Sequence, residues 1–264
     1  MDVGIVKVAE DKDFERLKQF LDNHDGWKME YTKDETKVWA KSVQDTNFKM
    51  IKLWTVFEDV TPEQMYDVLH DPEYRKVWDQ NMIDSHDIGF INPNNDVGYY
   101  AMSCPAPLKN RDFVLQRSWL DTGQEQLIIN HSVYHKDYPP RSGFVRATSF
   151  LTGFLIRPGT ESGCRLGYVS QTDPQGALPH WLVNKCTQIF APKMVKRLRK
   201  ASQAYVEWKK DNNPGFKPWH YPEQIKAPRI RIEDCVLPSS YTSVKYLDSN
   251  GHDDQIVACD EESD

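Results

Sequence analysis

The sequence contains nine short strand-like stretches followed by one long helical stretch. This order restricts the folds that the chain can adopt. Aromatic and β-branched residues, which favour strands, are concentrated in these stretches. The predicted strands cover residues 27–31, 37–43, 48–57, 84–91, 97–104, 111–119, 126–135, 143–156 and 163–171. Because most connections between them are short and rich in turn residues, we expect an antiparallel sheet.

The predicted helices span residues 12–22, 62–70, 72–77 and 181–210. Thr61-Pro62-Glu63-Gln64 is a capping box that opens the second of them, and Pro192 interrupts the last. A sheet of nine twisted strands tends to curl, so the last helix has its concave side as a place to bury an apolar face. We therefore predict an α+β fold of the helix-grip kind, which encloses a cavity.

The last predicted helix carries an apolar stripe and a basic flank. The stripe consists of residues spaced by three and four, namely Met194, Leu198, Ala201, Tyr205 and Trp208, and this spacing indicates a core-facing surface. The basic flank consists of Lys193, Lys196, Arg197, Arg199 and Lys200. It fits either docking to anionic membrane or ordinary solvation. The segment Arg199-Lys200-Ala201-Ser202 resembles a phosphorylation site for a kinase that recognises basic residues, with Ser202 as the acceptor.

Composition excludes several classes of protein. The formal net charge of −6 argues against a nucleic-acid partner. Five widely spaced cysteines without a C-x-x-C pair are typical of reduced thiols in the cytoplasm. The sequence has no signal-peptide core and no apolar run of 18 residues, so we expect a cytoplasmic protein that contacts membranes only transiently and at their surface. Nothing in the sequence indicates an oligomeric state.

Three segments in register resemble the START-domain family of lipid-binding proteins, in particular its phosphatidylcholine transfer protein subgroup. They are Tyr74–Asp79 (YRKVWD), Cys104–Val114 (CPAPLKNRDFV) and Leu178–Leu182 (LPHWL), the last leading to Ala191-Pro192. The long middle segment is the most specific of the three. The resemblance covers roughly residues 10–215, and it implies a START helix-grip domain whose cavity holds one phospholipid.

The resemblance also implies where the lipid phosphate would bind. In the subgroup, the first segment supplies an arginine to the phosphate and an aspartate that holds this arginine, which are Arg75 and Asp79 here. A guanidinium suits this role because it binds phosphate oxygens in bidentate fashion and stays charged when buried. The alternative is a surface ion pair between residues four apart on a helix.

An aromatic cage for the choline group is implied at Tyr100, Phe113 and Phe150. A quaternary ammonium has no N–H to donate, so aromatic faces are its natural partners. The phosphatidylcholine-specific carriers have one Trp and two Tyr where this chain has one Tyr and two Phe. We therefore expect looser selectivity that admits phosphatidylethanolamine beside phosphatidylcholine. Alternatively, Phe113 and Phe150 are ordinary core residues.

The two prolines of the middle segment predict a loop between strands. In the family this loop lies at the cavity mouth, and its movement with the last helix would open the cavity. The predicted gate loop consists of Cys104, Pro105, Pro107 and Leu108.

The sequence gives little support for an enzymatic function. His131 and His135 are four residues apart, which in a strand separates them by about 13 Å, too far for one metal ion. No metalloprotease, hydrolase, P-loop or dinucleotide motif occurs. We expect neither catalysis nor a cofactor nor a metal. A lipid-sensing regulatory module that acts through the C-terminal tail is the main alternative to a carrier.

The tail, residues 216–264, is predicted to be an acidic and disordered extension. From Glu223 onward acidic residues outnumber basic ones by ten to four. The tail could solubilise the protein, bind a protein partner or kinase, or compete with anionic membrane for the basic flank of the last helix. Phosphorylation of Ser263 would strengthen that competition.

Overall fold

Ten strands form one sheet in the computed structural model, which describes residues 1–43, 48–106, 108–160, 162–176 and 191–237 and the backbone of 241–247 and 253–259. The strands are β1 (Lys28–Lys33), β2 (Thr36–Ser42), β3 (Lys49–Phe57), β4 (Met82–Asn92), β5 (Asn95–Met102), β6 (Asn110–Asp121), β7 (Gln126–Ser132), β8 (Phe144–Arg146), β9 (Thr148–Pro158) and β10 (Cys164–Asp173). Their order is β1-β2-β3-β10-β9-β7-β6-β5-β4, and all neighbours along this path are antiparallel. The predicted α+β class is confirmed.

The tenth strand arises because one predicted strand, 143–156, is divided in two. Ala147 turns its backbone N–H away from the β9 ladder and donates to the carbonyl of Asp112 at 3.0 Å. The short β8 before it pairs in parallel with β6, and β9 after it pairs with β7 and β10.

In the described part of the chain, four α-helices cover the two faces of the sheet: α1 (Asp11–Asp22), α2 (Pro62–His70), α3 (Pro72–Trp78) and α4 (Ala191–Asp211). Thr61 Oγ1 accepts a 3.1 Å hydrogen bond from the backbone N–H of Gln64, which is one half of the predicted capping box. The Gln64 side chain instead donates to the carbonyl of Ser202. Asp71 caps α3 in the same way. Residues 177–190 lie outside the described part of the chain, and with them lies the predicted beginning of the last helix at 181.

Helix α1 covers what we call the outer face of the sheet. Leu17 and Leu21 pack against Gly153 and Gly167, where the absence of a side chain lets the helix approach closely. A Cβ atom on Gly153 would lie 2.6 Å from Cδ1 of Leu17. The ammonium group of the buried Lys52 donates to carbonyl groups at the end of α1, including that of Phe20 at 2.9 Å. These contacts fix the helix on the sheet.

Helices α2, α3 and α4 cover the opposite, inner face. The cluster beneath them joins sheet residues such as Leu53, Ile156 and Leu166 to Leu198 and Tyr205 of α4. In the predicted apolar stripe of α4 the middle three residues are buried and the outer two are partly buried. The interpretation of this stripe as a core-facing surface is therefore confirmed.

Part of the inner face is nevertheless not covered by neighbouring side chains. In β5 the outer-face residues Val97 and Tyr99 are buried, whereas Asp96, Gly98 and Tyr100 on the inner face keep accessible surface. The same alternation in β9 and β10 leaves accessible surface on Phe150, Thr152, Phe154, Tyr168, Ser170 and Thr172. The middle of the inner face thus borders space that is accessible to water.

Residues 216–237, which we call the C-terminal strap, pack against the body of the protein. The Asp67 carboxylate on α2 accepts hydrogen bonds from Lys217 Nζ at 2.6 Å and Trp219 Nε1 at 2.7 Å. Phe90 of β4 exchanges backbone hydrogen bonds with Pro228 and Ile230. The prediction of disorder from residue 216 is wrong for this segment, because these groups anchor it to the body.

After the strap, β11 (Tyr241–Leu247) and β12 (Asp253–Cys259) pair as an antiparallel hairpin, which also differs from the predicted disorder. No helix in the described part of the chain combines the length and the apolar composition that a membrane-crossing segment needs.

Candidate functional site

Arg75 and Asp79 lie one turn apart, on α3 and at its C-terminal end. Nε of Arg75 is 3.3 Å from Oδ2 of Asp79. The guanidinium carbon lies 5.1 Å from the centre of the Tyr100 ring and 5.7 Å from that of Trp78. Among the described residues, no carboxylate accepts a hydrogen bond from the terminal nitrogens of Arg75. In this part of the chain, the fork that suits a phosphate group is therefore not occupied by a carboxylate.

Tyr100 connects this helical pair to the sheet. Its hydroxyl donates a 2.8 Å hydrogen bond to Oδ2 of Asp79, and its ring lies 6.4 Å from that of Phe113, its cross-strand neighbour on β6. Burial raises the pKa of the Tyr100 phenol well above its usual value, so the hydroxyl stays protonated and remains a donor. The structure thus brings together Arg75, Asp79, Tyr100 and Phe113.

Phe150 lies on the inner face of β9, on the side of the sheet that also carries Tyr100 and Phe113. Its ring stacks on Phe48 at a centroid distance of 5.4 Å. It keeps accessible surface, whereas Phe113 is buried with 8% of its surface exposed. The two phenylalanines therefore lie on one face but differ in how far an external group could reach them.

The predicted gate loop connects β5 to β6 beside this site. The backbone N–H of Cys104 donates to Asn110 Oδ1 at 3.2 Å, and that of Leu108 donates to the carbonyl of Pro105 at 3.1 Å. Cys104 is half-buried with a free thiol. Pro107 lies outside the described residues.

Two charged residues after this loop have structural roles. The Arg111 guanidinium donates to the carbonyls of Pro174 and Gln175, each at 2.9 Å, which fixes the end of β10. The Asp112 carboxylate is fully buried and accepts two 3.0 Å hydrogen bonds from Arg146, which holds β8 against β6. The specific part of the middle segment thus stabilises the sheet around the loop.

An ion pair that the sequence analysis missed lies on the same inner face. Asp96 and Arg117 are direct cross-strand partners, joined by hydrogen bonds of 3.2 Å from Nε and 2.5 Å from Nη2. Burial raises the pKa of the Asp96 carboxyl, although Arg117 acts in the opposite direction. Both side chains keep accessible surface, 15% for Asp96 and 30% for Arg117. The pair therefore lines the accessible space.

Hydroxyl groups line a second part of that space. Thr152 on β9 and Ser170 and Thr172 on β10 hydrogen-bond to one another over 3.0–3.5 Å. Alternation along adjacent strands brings these residues together. Their proximity depends on the order and register of the strands, which the sequence alone does not specify. The inner face is thus amphipathic, with aromatic, hydroxyl and charged patches.

The basic flank of α4 divides into solvated and anchored residues. Lys193, Lys196 and Lys200 are exposed, and Arg197 is half-buried. The Arg199 guanidinium instead donates to the carbonyl of Val56 at 2.8 Å and lies over the Phe57 ring. Most of the flank is therefore available to a membrane surface, while Arg199 is partly occupied by contacts within the protein.

Ser202 is fully buried, and its hydroxyl contacts the sulfur of Met65. The prediction of a phosphorylation site at Ser202 is wrong for the folded protein, because a kinase could not reach the hydroxyl. Ser263, the other predicted phosphosite, lies outside the described residues.

A family model described as the START domain matches residues 7–208. START domain-containing protein 10 of Mus musculus is 43% identical over 245 residues, which cover 92% of this chain and 82% of that protein. The Homo sapiens protein of that name shows the same identity and coverage. Phosphatidylcholine transfer protein of Rattus norvegicus is 29% identical over 166 residues, 61% of this chain and 77% of that protein.

Solved structures agree with these sequence relationships. A crystal structure of human STARD10 superimposes with a TM-score of 0.83 at 43% identity, covering 87% of this chain and 94% of that one. Human StAR-related lipid transfer protein 5 shares the fold at 22% identity, with a TM-score of 0.64 over 73% of this chain and 93% of that one. The predicted helix-grip fold and the resemblance to the START-domain family are both confirmed, and the chain belongs to the START domain family.

Proposed function

We propose that this protein is a carrier that holds one phosphatidylcholine or phosphatidylethanolamine molecule against the inner face of its sheet and moves it between membranes. The observation that carries the proposal is the one-sided burial in β5, β9 and β10. In the middle of these strands the outer-face residues are buried, while inner-face residues such as Tyr100, Thr152 and Ser170 keep accessible surface. A cavity for two acyl chains accounts for this pattern.

The head group would bind at the α3 end of this space. The terminal nitrogens of Arg75 would donate to the phosphate, with Asp79 and Tyr100 holding the guanidinium in place. When the lipid leaves, Asp79 limits the cost of an unpaired cation. Phe113 and Phe150 would offer aromatic faces to choline. Among relatives, one is named phosphatidylcholine transfer protein, which is consistent with this ligand class.

The described site contains no arrangement suited to catalysis. Arg75, Asp79 and Tyr100 supply a cation, its partner and a neutral phenol, and none of the three is a nucleophile activated by a base. Carriage without bond making fits this chemistry. Exposed Lys193, Lys196 and Lys200 on α4 would attract the carrier to anionic membranes from the cytoplasm for loading and release.

A transfer assay tests the proposal. Donor vesicles containing fluorescent phosphatidylcholine and a non-transferable quencher are mixed with unlabelled acceptor vesicles. We expect fluorescence to rise at a rate proportional to protein concentration, with phosphatidylethanolamine also transferred. A lipid-sensing module would bind labelled lipid without accelerating its transfer, and that result would contradict the carrier function.

A further inference from the structure

His135, Asp137 and Asp234 form a cluster far from the inner face of the sheet. One ligand atom from each side chain lies within 4.8 Å of those of the other two. His135 and Asp137 follow β7, whereas Asp234 belongs to the C-terminal strap. We propose that these three residues bind a divalent cation of the zinc class, which joins the strap to the body of the protein.

Backbone contacts place the three side chains without help from a metal. The backbone N–H of Lys136 donates to the carbonyl of Asp234 at 2.8 Å, which fixes the strap beside the loop after β7. Cys235, next to Asp234, is buried in the cluster that includes Val97 and Tyr99. The positions of the ligands are therefore largely set before a cation binds, which lowers the ordering cost of binding.

His135 is held as a suitable imidazole ligand. Its side chain is nearly buried, with 7% of its surface exposed, and the Tyr138 ring packs against it edge-on at 5.4 Å. Nδ1 accepts a 3.3 Å hydrogen bond from the backbone N–H of Asp137, and a cation bound at Nδ1 would replace this contact because both use the same lone pair.

One imidazole and two carboxylates form a ligand set that zinc accepts, with room for water as a fourth ligand. The ligand atoms of a tetrahedral zinc ion are about 3.4 Å apart when the bonds are about 2.1 Å long. Modest side-chain rotations would bring the three groups from 4.8 Å to this spacing.

Lys136 is the competitor for this site. Its ammonium group lies 2.7 Å from Oδ1 of Asp234, but its side chain is 52% exposed and can move into water. Arg231 lies farther away, at 3.8 Å from the same carboxylate group. Exposed ion pairs of this kind contribute little free energy, so a divalent cation can replace the contact.

The test uses the full-length, untagged protein after treatment with a chelator that is then removed. Zn²⁺ is titrated calorimetrically, and hydrogen exchange of the strap is followed with and without Zn²⁺. We expect one saturable site per chain and at least tenfold slower exchange in residues 216–237. His135→Gln and Asp234→Asn should each weaken the site at least tenfold, and Lys136→Gln should strengthen it.

His86→Gln is the matched control, because His86 is an exposed histidine that also lies beside a carboxylate, at 3.3 Å from Asp84. This variant should bind Zn²⁺ like the wild type. Melting temperatures measured in the presence of chelator verify that each variant is folded. If Asp234→Asn does not fold, Asp137→Asn takes its place as the carboxylate variant. The absence of a saturable site, or a site that survives loss of His135 or of a carboxylate, would overturn the proposal.

Discussion

Tyr100 donates a 2.8 Å hydrogen bond to the same Asp79 oxygen that lies 3.3 Å from Nε of Arg75. One carboxylate oxygen thus links a strand to a helix, and among the described residues no carboxylate occupies the outer end of the guanidinium. Helix stability alone gives no reason for this order of charges, because an arginine that precedes an aspartate is the less favourable orientation on a helix. A ligand for the guanidinium gives such a reason.

Arg75→Gln should reduce the phospholipid bound to the protein without unfolding it. A hydrogen-bonded contact to a charged group contributes about 1.5–3 kcal/mol, so we expect affinity to fall roughly 10- to 100-fold. The measurement is equilibrium binding of labelled phosphatidylcholine. Lys76→Gln is the matched control, because Lys76 is the next residue but is exposed and pairs with Glu73. Equal effects of the two substitutions would argue against a phosphate ligand at Arg75.

Tyr100→Phe should destabilise the protein by about 1–3 kcal/mol, since it removes a hydrogen bond to a charged acceptor that is largely buried. Urea denaturation of the lipid-free protein measures this change. Tyr221→Phe, at an exposed tyrosine, should change the unfolding free energy by less than about 0.5 kcal/mol. If Tyr100→Phe behaves like that control, then the hydroxyl does not hold Asp79.

Phe150→Ala should weaken phosphatidylcholine more than phosphatidylethanolamine. A cation–π contact contributes about 0.5–2 kcal/mol, which corresponds to roughly a 2- to 30-fold selective loss. Phe154→Ala, on the same face of β9, should affect both lipids alike because it would line the acyl-chain region. Competition binding with the two lipids gives the ratio. An unchanged ratio for Phe150→Ala would remove this residue from the cage.

Acid should destabilise the fold partly through His131. This side chain is fully buried, and burial lowers its pKa to about 4. Its Nε2 donates to the carbonyl of Ile5 at 3.1 Å, a contact that the neutral ring makes. The unfolded chain takes up a proton near pH 6.5, so the stability is present above that pH and is lost as the pH falls towards 4.

Between pH 7 and pH 5 this histidine should account for about 2 kcal/mol of the loss in unfolding free energy. His131→Gln should therefore show a smaller loss over this range by that amount, as measured by urea denaturation at both pH values. His24→Gln, at an exposed histidine, should leave the loss unchanged. If His131→Gln loses as much unfolding free energy between pH 7 and pH 5 as the wild type does, then the ring titrates normally in the folded state.

Trp219→Ala should test whether the C-terminal strap belongs to the folded unit. Trp219 is 8% exposed and donates to Asp67, so we expect a loss of about 3–5 kcal/mol. Tyr221→Ala, two residues away and half exposed, should cost less than about 1 kcal/mol. Thermal and urea unfolding measure both. A strap that behaves as a solvated tail would make the two substitutions equally mild.

Local spacing in the sequence predicted much of the fold and part of the site. The contact between Arg75 and Asp79 and the N-cap hydrogen bond of Thr61 form within one or two turns of helix, and both are present. The burial of Ser202 was also within reach, because it lies four residues after Leu198 and thus on the apolar stripe. The basic residues that precede it point instead to a phosphorylation site.

Contacts between distant segments could not be predicted in this way. Asp96 and Arg117 are in contact because β5 and β6 pair in one particular register. This register cannot be predicted from the sequences of the two strands. The strap is held by Asp67. A local hint of this packing is its content of apolar residues such as Phe216, Trp219 and Ile230, in a segment with four basic and three acidic residues. The division at Ala147 depends likewise on a carbonyl of β6.

Native mass spectrometry of the purified protein tests the internal lipid site most directly. We expect a major species heavier than the polypeptide by the mass of one phospholipid, which releases intact phosphatidylcholine or phosphatidylethanolamine on activation. Arg75→Gln should shift the population towards the bare chain. A wild-type protein that carries no lipid after expression, and that acquires none from vesicles, would contradict a phospholipid cavity on the inner face of the sheet.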